Sequence, residues 1–375
     1  MNRKSSLSLL IIILLLAACQ PAPATESAPT SQAIAPSATP LPPASSTPQP
    51  PTATLEPPTA TPIPPSPTPE PPTPTPEPTG DGVHWTIHPD PVLDVGPEGA
   101  WDQALVGEPR VFRAGDLFNM IFVGQDGTRA SSGKTSPFYG YSLGMAASAD
   151  GLNWEKAAFN PILGLQGEEF GMLWHGGVLE QDGFFVYYIL GSTRGGRVGQ
   201  RIYLATSPDG QTWTPHPDPV VDLGPAGSYD GFTLAASTVL VDEGVFKMWY
   251  NGIDAAGRMT INYATSPDGF SWTKYEGNPV IDLGADTAAY YPSVIKVGET
   301  YRMWFTHQGI RMATSTDGLA WDIYPDPVLE KGPEGSWYSH GVLEPSVYFD
   351  GRVFHLWFTG SSGPFLEKIG YATSP

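Results

Sequence analysis

Ser148-Ala149-Asp150-Gly151-Leu152-Asn153-Trp154 returns, as Ser-x-Asp-Gly-x-x-Trp, at Ser207–Trp213, Ser266–Trp272 and Ser315–Trp321. A fifth copy is split. The chain ends on Tyr371-Ala372-Thr373-Ser374-Pro375, where the other copies run on into Asp-Gly, and Asp81-Gly82-Val83-His84-Trp85 supplies that continuation after residue 80. Counted on the aspartate, the copies are spaced by 69, 59, 59 and 49 residues. Periods of this size, holding several strands each, mark a propeller. The expected fold is therefore all-β: five blades of four antiparallel strands, closed by the N-terminal strand.

One unit shows the strands. Pro292–Val297, Tyr301–Thr306, Ile310–Ser315 and Trp321–Leu329 are apolar runs separated by turn residues, with Asp317-Gly318 between the last two. Asp-Gly between apolar runs is a strong hairpin signal, because Gly accepts positive φ and Asp bonds its own backbone. The signature thus marks a turn rather than a catalytic site, and its Trp is expected to pack blade against blade. Closure follows from the split copy. Trp85–Leu93 is the missing fourth strand of a blade begun by Pro345–Phe349, Val353–Thr359 and Lys368–Thr373. Such a ring leaves only short, protected edges.

Residues 1–19 carry Arg3 and Lys4, an apolar run from Leu7 to Leu16, and then Ala17-Ala18-Cys19. The run is too short to span a bilayer and fits a secretory signal. Its Leu-Ala-Ala-Cys end resembles a bacterial lipoprotein signal, which implies that Cys19 becomes the lipidated first residue of an exported, surface-anchored chain. Cys19 is also the only cysteine, so no internal disulfide can form. Residues 20–80 are dominated by Pro, Thr, Ala and Ser and contain no aromatic residue. They read as a disordered, partly polyproline II tether, which fully extended would reach on the order of 190 Å. Residues 81–375 are the propeller.

The whole chain has 19 basic and 38 acidic residues, a net charge of −19. Such a surface repels phosphate backbones, so nucleic acid is not an expected partner. The expected partners are carbohydrate and, through the anchor, the membrane, with the chain a monomer. Gly140-Tyr141-Ser142-Leu143-Gly144 matches a nucleophile elbow but has no helix after it. His84 and His88 lie about 13 Å apart along a strand, too far to share a metal. No metal or other cofactor is expected, with a calcium ion in the central channel left open.

Aligning the five first strands puts Glu108, His175, Ala236, Tyr291 and Glu344 at one level, each just before Pro109, Gly176, Ser237, Pro292 and Pro345. A structural position would repeat its residue type, as the signature Trp does. This one diverges toward polar groups aimed at one axis. A second level, in the long loops leading to these strands, holds Trp101-Asp102, Tyr229-Asp230 and Trp337, with Trp174 and His340 close to the same mouth. Aromatic faces beside carboxylates suit a sugar, whose C–H face stacks and whose hydroxyls need acceptors. Glycoside cleavage uses two carboxyl groups, one an acid and one a base or nucleophile. The catalytic pool is Glu108, Glu344, Asp102 and Asp230, with Glu344 as acid and Glu108 or Asp102 as base or nucleophile. The sugar platform is Trp101, Trp174, His175, Tyr229, Tyr291, Trp337 and His340. Asp102 and Asp230 recur in near-identical Gly-Pro-x-Gly loops, so capping of those loops is the alternative for both. Loops between second and third strands hold scarce positive charge, at Arg129, Lys134, Arg194, Arg197, Arg258 and Lys368. These cations suit an anionic group or sugar hydroxyls, with plain solvation as the alternative.

The motifs I-x-Y-A-T-S-P-D-G-x-x-W, D-P-V-L and Y-x-M-W-F, as they stand over residues 81–375, resemble the five-bladed glycosidase propeller superfamily. That superfamily includes arabinanases, xylosidases, invertase-like enzymes and mannoside phosphorylases. The resemblance implies acidic side chains on the inner strands of separate blades, acting as nucleophile or base, as acid, and as a third helper carboxylate. Glu108 and Glu344 stand at matching positions, whereas the third blade has Ala236 and the fourth Tyr291. The functional expectation is a glycosidase. The alternative is a non-catalytic carbohydrate-binding or adhesion lipoprotein.

Overall fold

The computed structural model describes residues 80–127, 141–164, 170–180, 183–192, 199–284, 287–364 and 366–375. The expected signal, Cys19 and tether lie outside them. Five antiparallel sheets form the propeller. Blade 1 is Leu105–Ala114, Leu117–Gln125, Tyr141–Ser148 and Glu155–Lys156, with Leu163–Gly164 added beside the third strand. Blade 2 is Phe170–Glu180, Phe184–Ser192, Arg201–Ser207 and Thr214–Pro215. Blade 3 is Thr233–Asp242, Val245–Ile253, Met259–Ser266 and Thr273–Lys274. Blade 4 is Tyr290–Val297, Thr300–Thr306, Ile310–Ser315 and Asp322–Ile323. Blade 5 is Gly341–Phe349, Phe354–Ser361, Glu367–Ser374 and, from the other end of the domain, Thr86–Ile87.

The split signature is rejoined in space. Ser374 Oγ lies 3.2 Å from Asp81 Oδ1, and the Gly82 amide donates to Ser374 Oγ at 3.1 Å. The unbroken copies have the same bonds: Ser148 to Asp150 at 2.9 Å, and the Gly151 amide to Ser148 at 2.9 Å. The aspartate then accepts the next two turn amides, as Asp150 does from Leu152 and Asn153. The five turn glycines have φ between 72° and 79°, where a Cβ is strained.

Each turn grips the preceding blade. Trp357 Nε1 donates to Gly151 O at 2.8 Å, Trp249 Nε1 to Gly318 O at 2.8 Å and Trp304 Nε1 to Gly82 O at 2.9 Å. Tyr187 makes the equivalent bond through its hydroxyl, to Gly269 O at 3.1 Å. The signature Trp closes edge-on over the same ring: Trp154 on Trp357, Trp85 on Trp304, Trp321 on Trp249 and Trp272 on Tyr187, with centroids 5.8 to 6.2 Å apart. In blade 1 the gripped position is Ile121, and Trp213 packs into the cluster that contains it. The expected blade-to-blade role of the signature Trp is therefore what the structure has.

A second set of bonds joins the inner strands. Ser346 Oγ accepts the Val111 amide at 2.8 Å, Ser293 Oγ the Val347 amide at 3.0 Å, and Ser237 Oγ the Gly177 amide at 3.2 Å. The fourth strands are shorter than the apolar runs foretell. Trp321–Leu329 forms a ladder only at Asp322–Ile323, with further single bonds from the Tyr324 amide to Met312 O and from the Val328 and Leu329 amides to Ile310 O. Pro325 and Pro327 lie between, and a proline cannot donate to the ladder.

Deleting Asp81–Asp94 removes the fourth strand of blade 5 and the carbonyl that holds Trp304. The expected outcome is loss of the cooperative thermal transition, read by circular dichroism, and a cooperative melt at unchanged temperature contradicts it. Trp357→Ala, at a fully buried latch, is expected to cost about 3–5 kcal/mol in denaturant unfolding.

Candidate active site

All five inner strands carry an irregularity at one level. The register shifts between Gly107 and Arg110, His175 and Val178, Ala235 and Ser237, Tyr290 and Ser293, and Leu343 and Ser346. Four of these bulges contain the residue that the sequence singles out, and in blade 2 the shift begins directly after His175. A bulge re-aims a side chain and is common beside active sites. In three of them the aimed residue sits in the left-handed region: Glu108 at φ 52°, Tyr291 at 55° and Glu344 at 59°. For a non-glycine residue that costs about 1–3 kcal/mol, so surrounding bonds must hold it.

The holders come from the blade next door. The Glu108 amide donates to Thr359 Oγ1 at 2.8 Å, the Glu344 amide to Thr306 Oγ1 at 3.0 Å, and the Tyr291 amide to Asn251 Oδ1 at 2.9 Å. Thr359, Thr306 and Asn251 occupy one position of the second strand, directly after Trp357-Phe358, Trp304-Phe305 and Trp249-Tyr250. In blades 1 and 2 that position is Val123 and Ile189, which offer no side-chain acceptor.

Glu108 and Glu344 meet across the seam where blade 5 joins blade 1. Glu344 Oε2 accepts the Thr359 hydroxyl at 2.5 Å and the Glu108 amide at 3.0 Å. The Tyr291 hydroxyl donates to Glu108 Oε1 at 3.3 Å, while Glu108 Oε2 is buried with no hydrogen-bond partner among the described residues. Both glutamates are under 9% exposed, and Tyr291 is more open. Burial, and then the Glu344 carboxyl, hold Glu108 well above the usual carboxylate range. Burial also raises Glu344, but the Thr359 hydroxyl and the Glu108 amide oppose it.

Two further groups belong to this cluster, and the sequence pattern alone does not single them out. Glu367 opens the third strand of blade 5, and burial followed by the Glu344 charge pushes its carboxyl up to about 8. Arg110, two residues past Glu108 on the same strand, is buried beside the pair. Burial lowers its guanidinium, while Glu108, Glu344 and Tyr291 support the charge. Glu367 has a signal, since it stands directly before Lys368, one of the loop cations. Arg110 has none, because the register shift between Gly107 and Arg110 breaks the alternation that would relate it to Glu108.

The other expected residues have surroundings of their own. Asp102 is 2% exposed and pairs with Lys156 at 2.5 Å, and its backbone carbonyl accepts the Gly96 amide. Asp230 repeats this with Lys274 at 2.5 Å and the Gly224 amide, and also accepts from Ser228 and Tyr250. Each lysine additionally holds the carbonyl of Asp94 or Asp222. Both aspartates therefore pin their loops to an outer strand. Trp101 lies against Phe122 and over Gly124 and Gly144. Trp337 stacks on Phe358 and lies over Gly360 and Gly370. These rings face their own blades. Of the loop cations, Arg258 pairs with Asp282 and Lys368 with Asp94. Tyr229 is partly buried, and burial raises its hydroxyl. His340 is exposed. Trp174 and His175 are on the inner strand of blade 2, but their side chains, like Arg129, Lys134, Arg194 and Arg197, lie outside what is described. Among the described residues, no group of three His, Cys, Asp or Glu could hold a metal ion.

No family model matches the chain. An uncharacterized protein of Mycobacterium tuberculosis (strain ATCC 25618 / H37Rv) is 34% identical over 155 residues, 38% of this chain and 50% of the relative. The chain thus spans about half the length of the first curated relatives it matches. An A type blood N-acetyl-alpha-D-galactosamine deacetylase of Flavonifractor plautii is 26% identical over 262 residues, 55% of this chain and 33% of the relative. Among solved structures, a glycoside hydrolase has a TM-score of 0.62 at 20% identity, covering 76% of this chain and 90% of that one. An N-acetylgalactosamine deacetylase from F. plautii, in complex with blood group B trisaccharide, has a TM-score of 0.61 at 18% identity, covering 77% and 95%. A structure of the GH130 family of mannoside phosphorylases, described as containing glycoside hydrolases, has a TM-score of 0.57 at 15% identity, covering 80% and 95%. At these identities the likeness shows the fold, a five-bladed propeller also used by glycoside hydrolases.

Glu367 binds its proton more tightly in the folded chain than in the unfolded one, with a folded value of about 8 against 4.5. The unfolded state then holds fewer protons between those values, so this group makes stability fall as pH rises from about 4.5 to 8. Glu367→Gln is expected to lessen that fall in melts compared between pH 5 and pH 8. An identical fall in both proteins contradicts the assignment.

Proposed function

We propose that this chain is a glycoside-active enzyme that cleaves oligo- or polysaccharide at the propeller mouth, with Glu108 and Glu344 as its paired carboxyl groups. One observation carries the reading: residues from separate blades, held in strained backbone, converge there and leave Glu108 Oε2 unpaired among the described residues. Strain held by neighbouring blades is a feature of sites rather than of plain packing.

The environments divide the roles. Glu108 keeps its proton through burial and the adjacent Glu344 carboxyl, and its second oxygen is engaged by no other protein group among the described residues, so it is the general acid. Glu344 accepts two hydrogen bonds at one oxygen, which favours the ionised form, so it is the base or nucleophile. This exchanges the two roles expected from the sequence. Two carboxyls whose surroundings push them apart are the usual way to run acid and base chemistry in one cleft. Glu367 is the third carboxyl, and Tyr291 links the acid to the inner strand of blade 4. The blood-group-acting relative and the sugar-bound structural neighbour support carbohydrate as the substrate class.

We infer further that Cys19 is lipidated and that residues 20–80 hold the propeller away from the membrane, on the strength of the Leu-Ala-Ala-Cys motif and the Pro- and Thr-rich composition. Cys19→Ser is expected to move the chain from the membrane to the soluble fraction of a bacterial host, and membrane retention of the variant refutes the anchor.

The purified chain, assayed on aryl glycosides and on arabinan, xylan, fructan and mannan, is expected to release sugar. Glu108→Gln and Glu344→Gln should each lose roughly 100- to 10,000-fold in turnover with the fold intact. Activity should fall as pH rises and Glu108 loses its proton, and fall again as pH drops and Glu344 gains one. Sugar binding without turnover in the parent protein supports the carbohydrate-binding alternative instead.

A further inference from the structure

Arg110 is 4% exposed and forms no ion pair with a carboxylate among the described residues, although acidic groups surround it. Its Nη1 instead donates to two backbone carbonyls, Pro109 O at 3.0 Å and Pro345 O at 3.0 Å. Pro109 and Pro345 directly follow Glu108 and Glu344. One nitrogen therefore ties together the two bulges that carry the carboxyl pair, across the seam between blade 1 and blade 5. Nε and Nη2 are buried with no partner among the described residues. A guanidinium left in that state costs desolvation that its two carbonyl bonds do not repay. Leucine or methionine would fill the same volume without this cost. Ordinary packing gives no reason for an arginine here.

We propose that Arg110 is a positioning residue for the carboxyl pair: it fixes the spacing of the Glu108 and Glu344 bulges and supplies the positive charge at their level. The acidic groups of this cluster come from four strands. These are Glu108 on the first strand of blade 1, Glu344 on the first strand of blade 5, Glu367 on the third strand of blade 5 and the Tyr291 hydroxyl on the first strand of blade 4. Thr359, on the second strand of blade 5, is the neutral member that hydrogen-bonds Glu344. An opposite charge at short range favours the ionised carboxyl, and removing it makes deprotonation harder. The two Nη1 bonds fix geometry and the charge fixes protonation, so the two contributions can be separated by substitution.

The test uses the whole chain with glutamate carboxyls labelled with carbon-13, titrated by NMR. Glu108→Gln, Glu344→Gln and Glu367→Gln identify the three signals, and near-UV circular dichroism checks each fold. Arg110→Met should move the Glu344 titration upward by about one pH unit or more, roughly a tenfold change in proton affinity. Arg110→Lys keeps the charge but lacks the guanidinium that sets Nη1 between the two carbonyls, so it should retain most of the titration while lowering kcat more than KM changes. If Arg110→Met does not fold, Arg110→Gln carries the same titration expectation. Unchanged midpoints in a folded uncharged variant overturn the proposal. So does loss of fold in both uncharged variants together with parental titration and kcat in Arg110→Lys, since that is a purely structural arginine. The kinetic arm rests on the glycosidase reading. The titration arm does not, and a shifted midpoint in a protein without turnover would separate failure of that reading from failure of this one.

Discussion

Everything in this propeller depends on a carbonyl. The Asp-Gly turn of one blade presents its glycine oxygen to an indole or phenol of the blade before it, and the signature Trp then closes over that ring. The turn can do this because Ser and Asp side chains satisfy its amides and because glycine accepts the positive φ. A Cβ on Gly151 would come within 2.8 Å of Trp357, so close approach as well as conformation demands glycine. Edge-on aromatic pairs add about 0.5–1.5 kcal/mol each beyond their buried area. Repeated at four interfaces, that contribution resists their opening, and apolar packing of Trp213 in the cluster of Ile121 serves the fifth.

The same device carries the strain of the site. Behind each gripped Trp the second strand continues for two residues to an Asn or Thr, and that side chain holds the left-handed amide of the next bulge. Blade contact and side-chain aim are thus two ends of one short segment. Where the segment ends in Val123 or Ile189, no such acceptor exists. The three aimed residues Tyr291, Glu344 and Glu108 follow one another around blades 4, 5 and 1, and the polar cluster lies on that arc. Blade 5, which the two ends of the domain complete, is the middle member of that arc.

Much of the fold was legible because its signals are local and repeated. Asp-Gly turns, the period of the signature and the split copy each state a blade boundary without reference to contacts far away. The ring of Glu108, Tyr291 and Glu344 was legible by alignment alone. The bulges were not, since a one-residue register shift leaves no mark in composition, and without them the strength of the aim at these positions cannot be read. Arg110 stays hidden because a lone cation on an apolar strand carries no motif. Asp102 and Asp230 stand out as carboxylates beside aromatics, yet the lysines that hold them, Lys156 and Lys274, come from outer strands 54 and 44 residues away. Trp101 and Trp337 stand out as loop aromatics, and the glycines that receive them lie on other strands of the same blades.

Convergence of residues from separate blades on a saccharide at the seam is tested most directly by a crystal structure of the protein soaked with a mixed pool of arabinan, xylan, fructan and mannan oligosaccharides. A sugar in the mouth is expected, with an oxygen within hydrogen-bond distance of Glu108 Oε2. Sugar bound only away from blades 4, 5 and 1, or Glu108 Oε2 capped by another protein group, would contradict it.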